Sequence, residues 1–94
     1  MAGPTHEWDA AKAAANLRRH GISFEEAATV FLDSLARIHD DPDHSVSERR
    51  AIIVGQSLQG RLLVVSFTDR GGNIRLISAR PVTRHERRDH EEAK

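Results

Sequence analysis

A chain of 94 residues has no room for a second domain or a large enclosed cofactor site, because so short a chain buries only about 60–65% of the surface its unfolded form exposes. It has no cysteine, which excludes disulfides, thiolate metal sites and cysteine nucleophiles, and suits a reducing compartment, so a cytoplasmic location is expected. Its formal charge is zero, but the balance is uneven: residues 1–60 carry nine acidic and six basic side chains, residues 61–94 eight basic and five acidic. Seven arginines fall between Arg61 and Arg88 against only Asp69 and Glu86. A local field of that kind attracts phosphate although the whole molecule is neutral.

No apolar run approaches the ~20 residues of a membrane span, so no membrane association is expected. Met1 to Glu7 lacks the basic and apolar blocks of a signal peptide. No repeat or low-complexity tract is present.

Asp9 is a good N-cap for an alanine-rich helix, Ala10 to His20, which Gly21 can stop. Ala10, Ala13, Ala14 and Leu17 share one face, and Lys12, Asn16 and Arg19 form a polar, partly cationic stripe expected to be exposed. Ser23-x-x-Glu26 is a capping box for a second helix. There Phe24, Ala27, Ala28 and Phe31 recur at helical spacing and read as core.

Leu35 to His39 is a possible short strand. Asp40 to Ser45 then reads as a loop, punctuated by proline and aspartate. Its aspartates and His44 raise the question of Mg²⁺ or Mn²⁺, but the spacing matches no calcium loop, and neither a metal nor another cofactor is expected. Three strand-like runs follow, Arg50 to Gln56, Arg61 to Thr68 and Asn73 to Arg80, joined by short glycine-containing connections that indicate antiparallel hairpins. The middle run is apolar on both faces, so both sides of the sheet should be covered at its centre. Simple alternation along the last strand puts Ile74, Leu76, Ser78 and Arg80 on one side, with Arg75, Ile77 and Ala79 on the other.

Pro81 ends that strand, and Thr83-x-x-Glu86 is a third capping signal, for a helix from Thr83 to Ala93. The helix holds no large apolar residue, so it must be solvated, held by charge pairs, or completed by a ligand or partner. The expected fold is α+β: two N-terminal helices on a small antiparallel sheet of three to four strands, then a polar C-terminal helix. It forms one domain over residues 1–94, with 1–5 disordered.

Phosphate-loop, dinucleotide, zinc-helix and nucleophile-elbow motifs are all missing. What remains is a set of arginines, histidines and a few carboxylates. That set suits RNA cleavage by the substrate's own 2′-hydroxyl, which needs a base, an acid and cations aimed at developing phosphorane charge. Arginine fits because its planar fork donates two parallel hydrogen bonds and keeps its charge. Arg80, Arg84 and Glu86 are placed to converge where the last strand meets the polar helix. His20 can act as a proton donor or simply complement a helix C-terminus; His85 and His90 lie in the polar helix.

The stretch Glu7-Trp8-Asp9-x-x-Lys12-x-x-x-Asn16-Leu17-x-x-His20-Gly21-Ile22-Ser23-Phe24-Glu25-Glu26-Ala27 resembles the opening signature of BrnT toxins. Asp43-His44-Ser45, Glu48-Arg49, Gly60-Arg61-Leu62-Leu63-Val64-Val65, Ile74-Arg75-Leu76-Ile77-Ser78-Ala79-Arg80 and Thr83-x-x-Glu86 resemble its later parts, so the likeness runs from Glu7 to about Glu92. It implies a RelE-like fold and a type II ribonuclease toxin. It also implies a BrnA-like antitoxin with a ribbon-helix-helix region, through which alone DNA is reached. Glu86, Arg80, His20 and Glu48 are then the catalytic candidates, and Lys12, Arg50, Arg75 and Arg84 the RNA- or phosphate-binding ones. One departure is His90, where the family leads one to expect tyrosine. The alternative reading is a non-catalytic antitoxin-binding module or co-repressor with a degenerate site. No base-reading helix–turn–helix supports direct DNA binding.

Overall fold

A computed structural model describes residues 5–41 and 49–93. The fold is mixed α+β, with three α-helices and a five-stranded sheet. A short strand β1, His6–Glu7, comes first. Helices α1, Ala10–His20, and α2, Phe24–Thr29, follow, the second running into a 3₁₀ turn, Val30–Leu32. Strands β2, Arg37–Asp40, β3, Arg50–Gln56, β4, Leu62–Arg70, and β5, Asn73–Pro81, lead to helix α3, Arg84–Glu92.

The strand order is β1-β5-β4-β3-β2. This departs from the expected three to four antiparallel strands: there are five, and β1 pairs parallel to β5. Two residues preceding the first helix carry no strand signal of their own; they are fixed by β5, whose Ile74 N–H donates to the Thr5 carbonyl at 2.8 Å. Residues 1–4 of the segment expected to be disordered lie outside the described residues, but Thr5 is thus paired. Connection β4–β5 is a two-residue turn, Gly71-Gly72, with φ of 58° and 90°. Positive φ at both positions matches the twist of a hairpin and suits glycine.

Asp9 caps α1 and Ser23 caps α2 as their residue types dictate, each side chain accepting a backbone N–H at 3.0 Å. Ile22, Phe24, Ala27 and Val30 pack onto Ile53, Leu63, Val65, Phe67, Leu76 and Ala79 from the sheet. Glu26 is buried and accepts hydrogen bonds from Ser57 Oγ at 2.7 Å and Arg61 Nε at 2.9 Å. A second Arg61 nitrogen also reaches it. Those bonds, Arg61 foremost, hold the Glu26 carboxyl below its ordinary range and tie α2 to the β3–β4 turn.

Two expectations about local faces fail for physical reasons. Asn16 is not exposed; it is buried at 7% relative accessibility, whereas Leu17, on the alanine face, is 51% exposed. Past its short pairing with β1, the outer edge of β5 would leave backbone groups unsatisfied. Asn16 fills that gap: its Oδ1 accepts from Ala79 N–H at 3.1 Å, and its Nδ2 donates to Ala79 O at 2.9 Å and to Ile22 O at 3.0 Å.

The second failure is the alternation along β5. Ser78 pairs with Ser66 and Leu76 with Phe67, so Ile77 is an extra residue with no partner across the ladder. This is a β-bulge, and it flips the parity of everything before it. Leu76 therefore joins Ala79 in the core, and Arg75 moves to the face of Arg80.

Replacing Asn16 with alanine leaves the Ala79 N–H and two carbonyls without partners in a buried place. The expected cost is about 2–3 kcal/mol, read as a lower urea midpoint at unchanged slope. A midpoint within error of the parent would mean that the clamp contributes nothing.

Candidate functional site

The face of the sheet opposite α1 and α2 can be built row by row, because cross-strand partners share a face. One row is Arg50, Thr68, Arg75, with Glu7 beyond it on β1. The next is His39, Ile52, Ser66, Ser78. A third is Arg37, Val54, Val64, Arg80. Four arginines thus stand on one face, although net charge and simple alternation scatter them.

Helix α3 crosses the far end of this face without an apolar side chain of its own. Polar contacts hold it at both ends. Near its start, Arg80 and Glu86 form a two-point ion pair, Nη1 to Oε1 at 2.8 Å and Nη2 to Oε2 at 2.9 Å. Thr83 completes the capping box: its N–H donates to Glu86 Oε1 at 2.8 Å and its Oγ1 accepts from Glu86 N–H at 3.1 Å. At the other end Arg37, on β2, donates to the carbonyl of Ala93. Between them His90 is buried, near Leu62 and Gln56. Charge pairing thus positions the start of this helix, and most of its other residues are exposed.

Arg80 and the Thr83 N–H hold the Glu86 carboxyl at a pKa of about 2, against a partial desolvation that pulls upward. Arg80 is raised in turn by Glu86. Arg75 meets Glu7 at 3.0 Å. Asp9 is lowered, first by the Lys12 N–H, with Lys12 and Arg75 adding positive charge.

Lys12 and His20 line a cleft of about 190 Å³ between α1 and β5, with Ala15, Asn16, Arg19, Ile77 and Ser78. Arg84 is exposed in the first turn of α3, two residues before Glu86. Arg50 stands two strands from Arg75, across Thr68, whose hydroxyl donates to Arg49 O at 2.7 Å. Of the candidates, then, Arg75, Arg80 and Glu86 gather along β5, with Lys12 and His20 on its outer flank and Arg50 in the same row as Arg75. Glu48 and the Asp43-His44 part of the acidic loop lie outside the described residues. Among the described residues no group of His, Asp and Glu converges as a metal-holding cluster. Arg37 is absent from the sequence candidates, and Arg19 enters there only in the cationic stripe of α1. The strand register sets Arg37 in the row of Arg80, and the helix packing sets Arg19 in the α1–β5 cleft.

The model of the ribonuclease toxin BrnT of type II toxin–antitoxin systems matches residues 8–86. The chain belongs to the BrnT family. In fold it is similar to the BrnT ribonuclease toxin of Brucella abortus, at 19% identity and a TM-score of 0.66, over 86% of this chain and 99% of that one. No curated protein matches the sequence.

Because the folded Glu86 pKa of about 2 lies below its ordinary 4.5, the pair stabilises the fold above pH 4.5 and that share is lost as pH falls toward 2. Both side chains are a third or more exposed, so after screening the contribution is about 1 kcal/mol. Glu86→Gln should therefore flatten the acid limb of stability against pH between 4.5 and 2. Superimposable limbs for the two proteins would show the pair to be energetically silent.

Proposed function

We propose that this chain is an endoribonuclease toxin that cuts RNA without a metal, through the substrate's own 2′-hydroxyl, and that a BrnA-like ribbon-helix-helix antitoxin neutralises it. The observation that carries the reading is the Arg80–Glu86 pair at the strand-to-helix junction, with Arg75 on the same face of β5. A carboxylate beside a phosphate-binding fork is what such a reaction needs.

The free pair is a resting arrangement. With a pKa of about 2, Glu86 is a poor base while Arg80 holds it. An RNA phosphate that takes the Arg80 fork releases the carboxylate and lets its basicity rise toward the ordinary value. The 2′-O–H proton then passes to Glu86 as O2′ bonds to phosphorus. The P–O5′ bond breaks, and the leaving oxygen takes a proton from an acid, for which His20 is the candidate. The products are a 2′,3′-cyclic phosphate and a 5′-hydroxyl. Arg75, Arg50 and Arg84 hold phosphate, Lys12 assists, and Glu48 is the alternative base. The chain acts as one toxin domain in the cytoplasm, slows growth by destroying RNA, and reaches DNA only through its antitoxin.

One observation favours the second reading, an antitoxin-binding module without catalysis: Arg75 and Arg80 are both already occupied by carboxylates. A defined single-stranded RNA incubated with the purified protein in EDTA separates the two. The expected outcome is cleavage to cyclic-phosphate ends, reduced about 10²–10⁴-fold in folded Arg80→Ala and Glu86→Ala. A folded parent that leaves RNA intact with or without Mg²⁺, and does not slow growth, sinks the catalytic reading.

A further inference from the structure

The cleft between α1 and β5 has a composition that sets it apart. Its basic members Lys12, Arg19 and His20 come from one helix, at i, i+7 and i+8. Its lining includes no carboxylate. By contrast, the larger cleft at the β4–β5 turn includes Asp40 and Asp69 beside Arg49 and Arg50. None of the three side chains makes an ion pair within 4 Å with a described residue. Arg75 and Arg80, in contrast, are each tied to a carboxylate.

The cleft is also rigidly walled. Asn16, between the cations on the same helix, is bonded to the backbone of β5 at Ala79. On the strand side stand Ile77, the bulged residue, and Ser78. Ser78 shares a face with Arg80, two residues away, or about 7 Å along a strand. That step is near the separation of neighbouring phosphates in an extended single strand. Ile77 and Ser78 lie between Arg75 and Arg80 in β5, so the cleft flanks the strand segment that joins those two arginines.

We infer that the α1–β5 cleft is a binding site for a backbone phosphate of single-stranded RNA flanking the one held at Arg80, with Arg19 its main cation and the Ser78 hydroxyl a hydrogen-bonding partner. The assignment rests on the ribonuclease reading above for the position of the reacting phosphate, but Arg19 and Ser78, which carry it, have no part in that chemistry. Its role is to fix the strand, so that binding grows with each phosphate beyond the reacting one. Arg19 is exposed, and its replacement by glutamine leaves the Asn16 clamp in place.

The test uses the whole chain and an all-2′-O-methyl RNA pentamer, which binds but cannot be cut. Binding is followed by fluorescence anisotropy across a salt series, for the parent and Arg19→Gln, with thermal melting to verify the fold. Arg19→Gln should weaken binding about threefold to tenfold at low salt and lower the slope of log K against log salt by about 0.7, the share of one phosphate contact on a single strand. In parallel, cleavage of a dinucleotide, which offers only the reacting phosphate, should be unaltered by Arg19→Gln, while kcat/KM on a pentamer falls by the same factor as the affinity. Should the parent bind the methylated pentamer with the Arg19-dependent slope but cut no RNA, this site stands and the catalytic reading fails. Should the parent cut RNA while Arg19→Gln keeps the parental slope and affinity, the catalytic reading stands and this site is refuted. A parent that binds no RNA refutes both.

Discussion

The two-point bonding of Asn16 to the backbone of Ala79 is the constraint on which the site depends. β5 is nearly an edge strand, since β1 covers it only at Ile74 and Arg75. Pairing with β4 and the burial of Leu76 and Ala79 set its register, but its outer edge still has backbone groups to satisfy. Asn16 supplies the donor and acceptor that a neighbouring strand would have offered, and it does so from a helix anchored at both ends by Asp9 and Gly21. The bulge at Ile77 then falls between a clamped residue and the β1 pairing. Arg75 and Arg80 come to one face because five intervening steps are counted as four by the pleat. A longer strand partner in place of β1 would satisfy the same backbone groups but would close the flank on which Lys12, Arg19 and His20 stand.

The final helix obeys a different logic. With charged residues on almost every turn it gains little from burial, and its position comes from polar anchors at its two ends. Arg80 holds the first turn and Arg37 the last carbonyls. The same arginine that anchors α3 is thus the one the proposed chemistry requires. On that proposal, stability and function share a single guanidinium. The Thr83 capping box and buried His90 give the helix further anchors beside Arg80.

Much of this was legible in the sequence, and the failures have a common cause. Caps, helix faces in α2, the three long strands and the capping box at Thr83 follow from local rules that depend on a few adjacent residues. β1 was missed because two residues have no period; only the partner strand makes them a strand. The bulge was missed because alternation assumes one residue per pleat, and nothing in Leu76-Ile77-Ser78 announces the extra one. Asn16 was misplaced because a polar residue on a helix is usually solvated, and its partner lies 63 positions away. The candidates Arg75, Arg80 and Glu86 were nevertheless selected by chemistry and family likeness, and the fold brings them together by a route that alternation would have forbidden.

The neutral net charge of the chain, which at first weighs against a phosphate-binding role, has a structural explanation. Two of the four arginines of the sheet face are matched by carboxylates placed against them: Glu7 on Arg75 and Glu86 on Arg80. A carboxylate and a phosphodiester carry the same unit charge, so exchanging one for the other at a guanidinium changes the Coulomb term little. Such a face therefore discriminates poorly between its own acids and a lone phosphate. Net attraction has to come from cations that the fold leaves without a carboxylate at contact distance, and Lys12 and Arg19 are of that kind. A polymer with several phosphates engages them together with the guarded arginines, while a single phosphate ion cannot. On this view the matched pairs keep the arginines preorganised and soluble in the free protein, and the helix beside them supplies the selectivity for a strand.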